Sequence, residues 1–382
     1  MSDPFFLKSG YSLVLFLLAA VIPLSSNRTL QVGPGAKYLT PCQAFKDAQD
    51  GDTIEINAAG VYAGDVCRIS ASNLVIRGVN GRPRIDAAGR SSERKAIWVI
   101  GGNNTVVENI ELSGCLVEDL NGAGIRQEGT NLTVRACYFH DNENGIMCGK
   151  NPASEILIEN TEFARNGHGD GYSHNLYIGN IKKFTMQFCY SHQSVGGQLV
   201  KSRAAENHIF YNRLTDEKGS NYKLDLPNGG LAYVVGNIFQ QSPSTTNSNI
   251  FAFGAEGPTP DSRLIVINNT FVNDRSAGGF IRINPYVTMP ALIINNIFAG
   301  TGEVCSQPYA LLLANFVGPD PGFMDRAHFD YRLRYGSPCI NRGSDLAKFG
   351  MEGVAPKYEY VHPCKSKARS FVGPIDIGAF EK

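Results

Sequence analysis

The chain repeats a short unit, and that repeat limits the fold more than any other feature. The segments NLTVRACYF (131–139), EILIENTEF (155–163), KFTMQFCY (183–190), NHIFYNRL (207–214), AYVVGNIF (232–239), LIVINNTF (264–271) and ALIINNIF (291–298) are variants of one pattern. Their last residues, Phe139, Phe163, Tyr190, Leu214, Phe239, Phe271 and Phe298, are 24, 27, 24, 25, 32 and 27 residues apart. NLVIRGVNG (73–81) and NTVVENIEL (104–112) extend the series towards the N-terminus, making nine units. Each unit holds short stretches of alternating apolar and polar residues, the signature of strands, and none has helical periodicity. A period in the twenties means a solenoid, in which each unit buries its apolar side only against its neighbours.

Leucine-rich repeats share the period but require a Leu-x-x-Leu-x-Leu frame that is absent, and propeller blades need about 40 residues. What remains is an all-β fold, a right-handed parallel β-helix of about nine coils, each with about three short strands stacked about 4.8 Å from the next. Asn160, Asn212, Asn237, Asn269 and Asn296 recur just before the aromatic position. Turned inward, they would bond to one another along a ladder. A solenoid also needs covered ends. AFKDAQ, within 42–56, is the one amphipathic helix and would cap the start. The end-capping segments are about 30–60 and 325–382, within a single domain, 27–382.

MSDPFFLKSGYSLVLFLLAAVIPLSSN reads as a secretion signal over 1–26, with a membrane anchor as the alternative, so the mature chain is expected to be secreted or periplasmic and outside the membrane. Nine cysteines suit an oxidising compartment, and none has CxxC spacing. Cys42 with Cys67, and Cys339 with Cys364, are expected to clip the two ends. Cys137 and Cys189 read as small buried hydrophobes. The formal net charge is zero, which argues against nucleic acid as a partner. A monomer is expected.

The repeat also serves as a ruler. On its register Arg126, Met147, Tyr177, Lys201 and Asp225 form one row up a single face, with Glu128, Gly149, Gly179 and Arg203 in the next. Lys223 competes with Asp225 if the register slips by one. Lys201 and Arg203 are two apart on one strand, so their side chains are about 7 Å from each other on the same face. Two cations at that distance need an anion. Either a neighbouring carboxylate such as Asp225 supplies it, or a substrate does. His168, Asp170 and His174 lie in the preceding loop, and Asn228 in the PNGG turn.

Such a strip suits β-elimination on an acidic polysaccharide. The proton beside the uronate carboxylate must leave, the carboxylate must be neutralised, and the departing oxygen needs a proton. Lys201 is the expected base, since crowding by Arg203 favours the neutral amine. Arg203 would hold the carboxylate, and Tyr177 or His174 would supply the proton. Arg126, Asn175, Gln198, Lys223, Asp225 and Asn228 are the expected substrate contacts.

VGPGAKYLTPCQAFKDAQDGDTIEI and GSPCINRGSD…DIGAFE resemble the opening and closing segments of secreted β-helix proteins of the pectate-lyase-like superfamily. QLVKSRAAENHIFYNRL, HNLYIG and KLDLPNGG resemble the core of the alginate lyase and chondroitinase B family of polysaccharide lyases. That resemblance places Lys201 on the family's base, and Asn175 and Tyr177 near its Glu and Arg. It departs where Lys223-Leu-Asp225 replaces an arginine-histidine strand. Calcium is the cofactor the resemblance raises, but Gln198 and Asn175 stand where its carboxylate ligands would be, so no metal ligands are assigned. β-Helices carry several chemistries. A glycoside hydrolase using Asp225 and Asp170, a C5-epimerase and a non-catalytic carbohydrate-binding protein are the alternatives.

Overall fold

The computed structural model describes residues 28–382, so the signal reading over 1–26 lies outside the described residues. These residues wind into a parallel β-solenoid with three sheets of twelve, ten and ten strands. Each turn visits the sheets in a fixed order. Ala123–Gln127 lies in the sheet that carries the Lys201 row, Leu132–Arg135 in the twelve-stranded sheet and Tyr138–His140 in the third. The nine units read from the sequence are nine consecutive strands of the twelve-stranded sheet. Thr29–Val32 and Thr53–Asn57 precede them and Leu311–Leu313 follows, which gives about ten turns.

The corner between the twelve-stranded sheet and the third sheet is two residues long, and its first residue has positive φ. Asn109, Asn268 and Asn295 hold it at φ 57°, 52° and 59°. Asparagine tolerates this left-handed conformation better than most side chains. The second corner residue points inward and forms the ladder. The backbone N–H and Nδ2 of Asn212 both donate to Asn237 Oδ1, at 2.9 and 3.0 Å. Asn237 repeats this onto Asn269, Asn269 onto Asn296 and Asn296 onto Asn315. Asn160 is not a rung: it takes the first corner position at φ 50°, and Thr161 faces inward in its place. Beside the ladder, Phe239 stacks on Phe271 and Phe271 on Phe298, with centroids 4.6 and 5.1 Å apart.

The series of aromatic ends is broken once. Phe163 pairs with Ser191, and Ser191 with Leu214, so Tyr190 faces outward and stacks on His192. Ser191 brings a hydroxyl into the interior, where it donates to the Leu199 carbonyl at 2.9 Å, behind the strand that carries Lys201.

The helix Pro41–Asp47 covers the first turn, its Phe45 meeting Trp98 edge-on at 5.4 Å. The Cys42–Cys67 disulfide forms beside it. Cys137 and Cys189 are free and buried. Cys339 and Cys364 are free as well, against expectation. The C-terminal segment also departs from its expected path. Its hairpins, Phe323–Asp325 with Asp330–Leu333 and Tyr358–Val361 with Lys365–Ala368, do not close the far end. They lie along the outside of the third sheet, burying Tyr331, Leu333, Tyr360 and Phe380 against Tyr190, Ile238, Val272 and Ile297. Leu311, Leu312 and Leu313 in the last turn remain 57, 52 and 37% exposed. Among the described residues no helix is long and apolar enough to cross a membrane.

Candidate active site

The row read from the repeat is present strand by strand. Arg126 pairs with Met147, Met147 with Tyr177, Tyr177 with Lys201 and Lys201 with Asp225. The register does not slip. Alternation sends the neighbouring Ile125, Ile146, Leu176, Val200 and Leu224 into the core, all fully buried, and turns the row outward.

Lys201 and Arg203 are bridged by a carboxylate that the repeat does not reveal. Glu256 lies in the loop after Asn249–Phe253. Its Oε1 is 3.1 Å from Lys201 Nζ and its Oε2 2.5 Å from Arg203 Nη2. Lys201 also pairs with Asp225 Oδ2 at 3.4 Å. The crowding of Lys201 by Arg203 is therefore offset by two carboxylates. Arg203 donates from Nε to Tyr177 Oη at 3.0 Å and from Nη1 to Asn228 Oδ1 at 2.8 Å. Asn228 in turn donates to the Glu256 carbonyl at 3.1 Å. Tyr177, Lys201, Arg203, Asp225, Asn228 and Glu256 form one connected cluster.

The two carboxyls are tuned in opposite directions. Asp225 is 3% exposed, and burial pushes its carboxyl up to about 6 despite the neighbouring Lys201. Its Oδ1 is buried without a partner. At Glu256 burial also raises the carboxyl, but hydrogen bonds from Arg203 and Lys201 outweigh it and hold it below the ordinary carboxylate value.

Other expected residues are placed differently. His174 is 3% exposed, and burial followed by repulsion from Lys201 lowers it to about 3, so its imidazole is neutral. Its Nδ1 accepts the Gln198 N–H at 3.2 Å and its ring stacks on Tyr177. It packs against Tyr177, the other candidate acid. Gln198 lies beside it, with a buried, unpaired Oε1. Asn175 is not a substrate contact. It is fully buried, donating to Ser191 Oγ at 3.1 Å and the His192 carbonyl at 2.8 Å. Its Oδ1 accepts from Asn166, forming a second internal ladder. Lys223 is also withdrawn. Its fully buried ammonium pairs with Asp216 at 2.6 Å and donates to Ser220 Oγ and the Asn221 carbonyl. Arg126 is three strands from Lys201, about 14 Å along the axis, and lies against Met147. Glu128 pairs with Arg68 and Lys95. Asp170 caps its own turn, accepting from Tyr172 N–H and from Ser173 N–H and Oγ.

Among the described residues no group of three or more His, Cys, Asp or Glu side chains is arranged to hold a metal ion. A groove that includes Arg203 and Asn228 in its lining extends from Pro152 and Ile181 past Tyr233, Arg263 and Leu292.

A family model described as the right handed beta helix region matches residues 53–240. The crystal structure of pectate lyase Pel9A superposes with a TM-score of 0.52 at 14% sequence identity, covering 94% of this chain and 98% of that one. Curated protein sequences give no match. Matched repeat, parallel sheets and superposition agree: the chain folds as a right-handed parallel β-helix.

Proposed function

We propose that this β-helix cleaves an acidic, uronate-containing polysaccharide by β-elimination, with Lys201 as the base. One observation carries the reading: Lys201 and Arg203 converge on a single carboxylate, one cation to each oxygen. A uronate carboxylate in that seat would be held by Arg203, which neutralises the charge that develops, while Lys201, once it has given up its proton, faces the hydrogen to be removed. A lysine base acts as the free amine, and Asp225 at 3.4 Å is a proton acceptor beside it. Tyr177 accepts from Arg203, which leaves its own proton for the departing oxygen. The bond to that oxygen breaks as the double bond forms. The groove that Arg203 and Asn228 line offers the polymer a path. Pel9A, a pectate lyase, is an instance of lyase chemistry on this fold.

A second reading has one observation in its favour. Asp225 and Glu256 are two carboxyls whose environments push their proton affinities apart, the mark of an acid and base pair in a glycoside hydrolase. One experiment separates the two. Wild type and Lys201→Ala are incubated with a panel of uronate polysaccharides, following ultraviolet absorbance of unsaturated product and release of reducing ends. Unsaturated product from wild type alone supports the lyase. Reducing ends without unsaturation reject it in favour of hydrolysis.

A further inference from the structure

We propose that the Glu256 side chain occupies the seat of the substrate's carboxylate, so that an anionic sugar binds by displacing it and a neutral one is refused. This rests on the function proposed above and adds to it a side chain that holds the substrate's seat in the free protein. The Glu256 carboxylate meets Lys201 and Arg203 one oxygen to each cation, as a uronate would. The cations it covers are largely withdrawn from solvent, with side chains 11 and 19% exposed, whereas its own side chain is 49% exposed.

The loop is built so that the side chain can leave while the backbone stays. The Glu256 N–H donates to the Pro227 carbonyl at 2.7 Å, and its carbonyl accepts from Asn228 at 3.1 Å. Gly254 and Gly257 flank it at φ 77° and 78°. Release therefore needs only a rotamer change at an exposed side chain, which is fast and inexpensive. What release does cost is the loss of an anion from two poorly hydrated cations. A ligand carrying its own carboxylate restores that anion. A neutral sugar, such as a carboxyl-reduced or esterified one, leaves Arg203 uncompensated and Lys201 with Asp225 alone. The two cations thus select for charge, and Glu256 competes with the anionic sugar for their seat.

The test is isothermal calorimetry of wild type, Glu256→Gln and Glu256→Ala with oligogalacturonate, oligomannuronate and oligoguluronate, and with their carboxyl-reduced counterparts. Circular dichroism melting of all three proteins confirms that the fold is retained, and two variants guard against a loss specific to one. The expected result is about tenfold tighter binding of an anionic oligomer by both variants, about 1.4 kcal/mol, with neutral counterparts unchanged. Unchanged or weaker binding of the anionic oligomer by folded variants overturns the proposal and leaves the proposed function standing. Equal tightening of anionic and neutral oligomers also overturns it, since that marks steric opening alone. If no oligouronate binds any form and no unsaturated product arises, the proposed function falls and this inference falls with it.

Discussion

Replacing Asp225 by asparagine is expected to stabilise the protein at neutral pH while impairing the site. Asp225 is 3% exposed, and burial pushes its carboxyl from an ordinary 3.8 up to about 6. The attraction of Lys201 is already contained in that value. At about 1.4 kcal/mol for each tenfold change in proton affinity, the gap amounts to about 3 kcal/mol. The sign follows from where the proton resides. Below an ordinary carboxylate value the side chain is neutral in both folded and unfolded chains and burial carries no charge penalty. As pH rises through about 6 the folded protein must hold a buried charge, so this stability is lost. Asparagine keeps the shape and never ionises. Its advantage over wild type should be absent near about pH 4 and approach about 3 kcal/mol near about pH 8. Urea unfolding of both proteins, followed by circular dichroism across that range, measures the difference at each pH. Any fixed offset from the amide itself cancels in the slope. A difference that stays flat from acid to neutral pH, or that falls, would refute the reasoning.

Three further outcomes follow from interactions elsewhere in the solenoid. Lys223→Met leaves the fully buried Asp216 carboxylate without its cation, and should lower stability by about 3–5 kcal/mol in urea unfolding. Asn237→Ala removes a rung that accepts two bonds from Asn212 and donates onward to Asn269, and should cost about 1–3 kcal/mol for each buried group left unpaired, read as a fall in melting temperature. Opening the Cys42–Cys67 bond, which joins residues 25 apart in sequence, by Cys42→Ser with Cys67→Ser should cost about 3 kcal/mol, and reducing agent should then have little added effect on the melting temperature.

The strip around Lys201 was legible because a parallel, in-register solenoid converts sequence period into spatial rows. Arg126, Met147, Tyr177, Lys201 and Asp225 could be aligned by counting, and the strands pair them as counted. Counting failed where the chain leaves the period. Glu256 stands in a loop whose length follows no repeat, so nothing in its neighbourhood signals that it reaches Lys201 and Arg203. The available hint was physical: two cations on one strand need a partner, and Asp225 alone serves only one of them. Asn175 is suggested by the resemblance and Lys223 by a slip of register, but their side chains turn inward, where an amide completes a ladder and an ammonium meets a buried carboxylate. Asn160 and Tyr190 each miss the inward position by one residue, because a two-residue corner accepts its asparagine at either place and an aromatic packs on either side of a strand. The path of the C-terminal segment depends on long-range apolar contacts with no local signature.

The stacked strands also make the geometry of the site stepwise. Tyr177, Lys201 and Asp225 come from three successive turns and pair directly across the ladder, so each lies one strand spacing from the next. A loop can lengthen by many residues without moving any of them. Deleting a whole turn instead would shift one member of the set by about 4.8 Å, beyond hydrogen-bonding reach of its partner. Variation in such a molecule is therefore modular: selectivity can drift continuously through loops such as the one carrying Glu256, whereas the chemistry of the row changes only by exchanging a side chain or a complete coil.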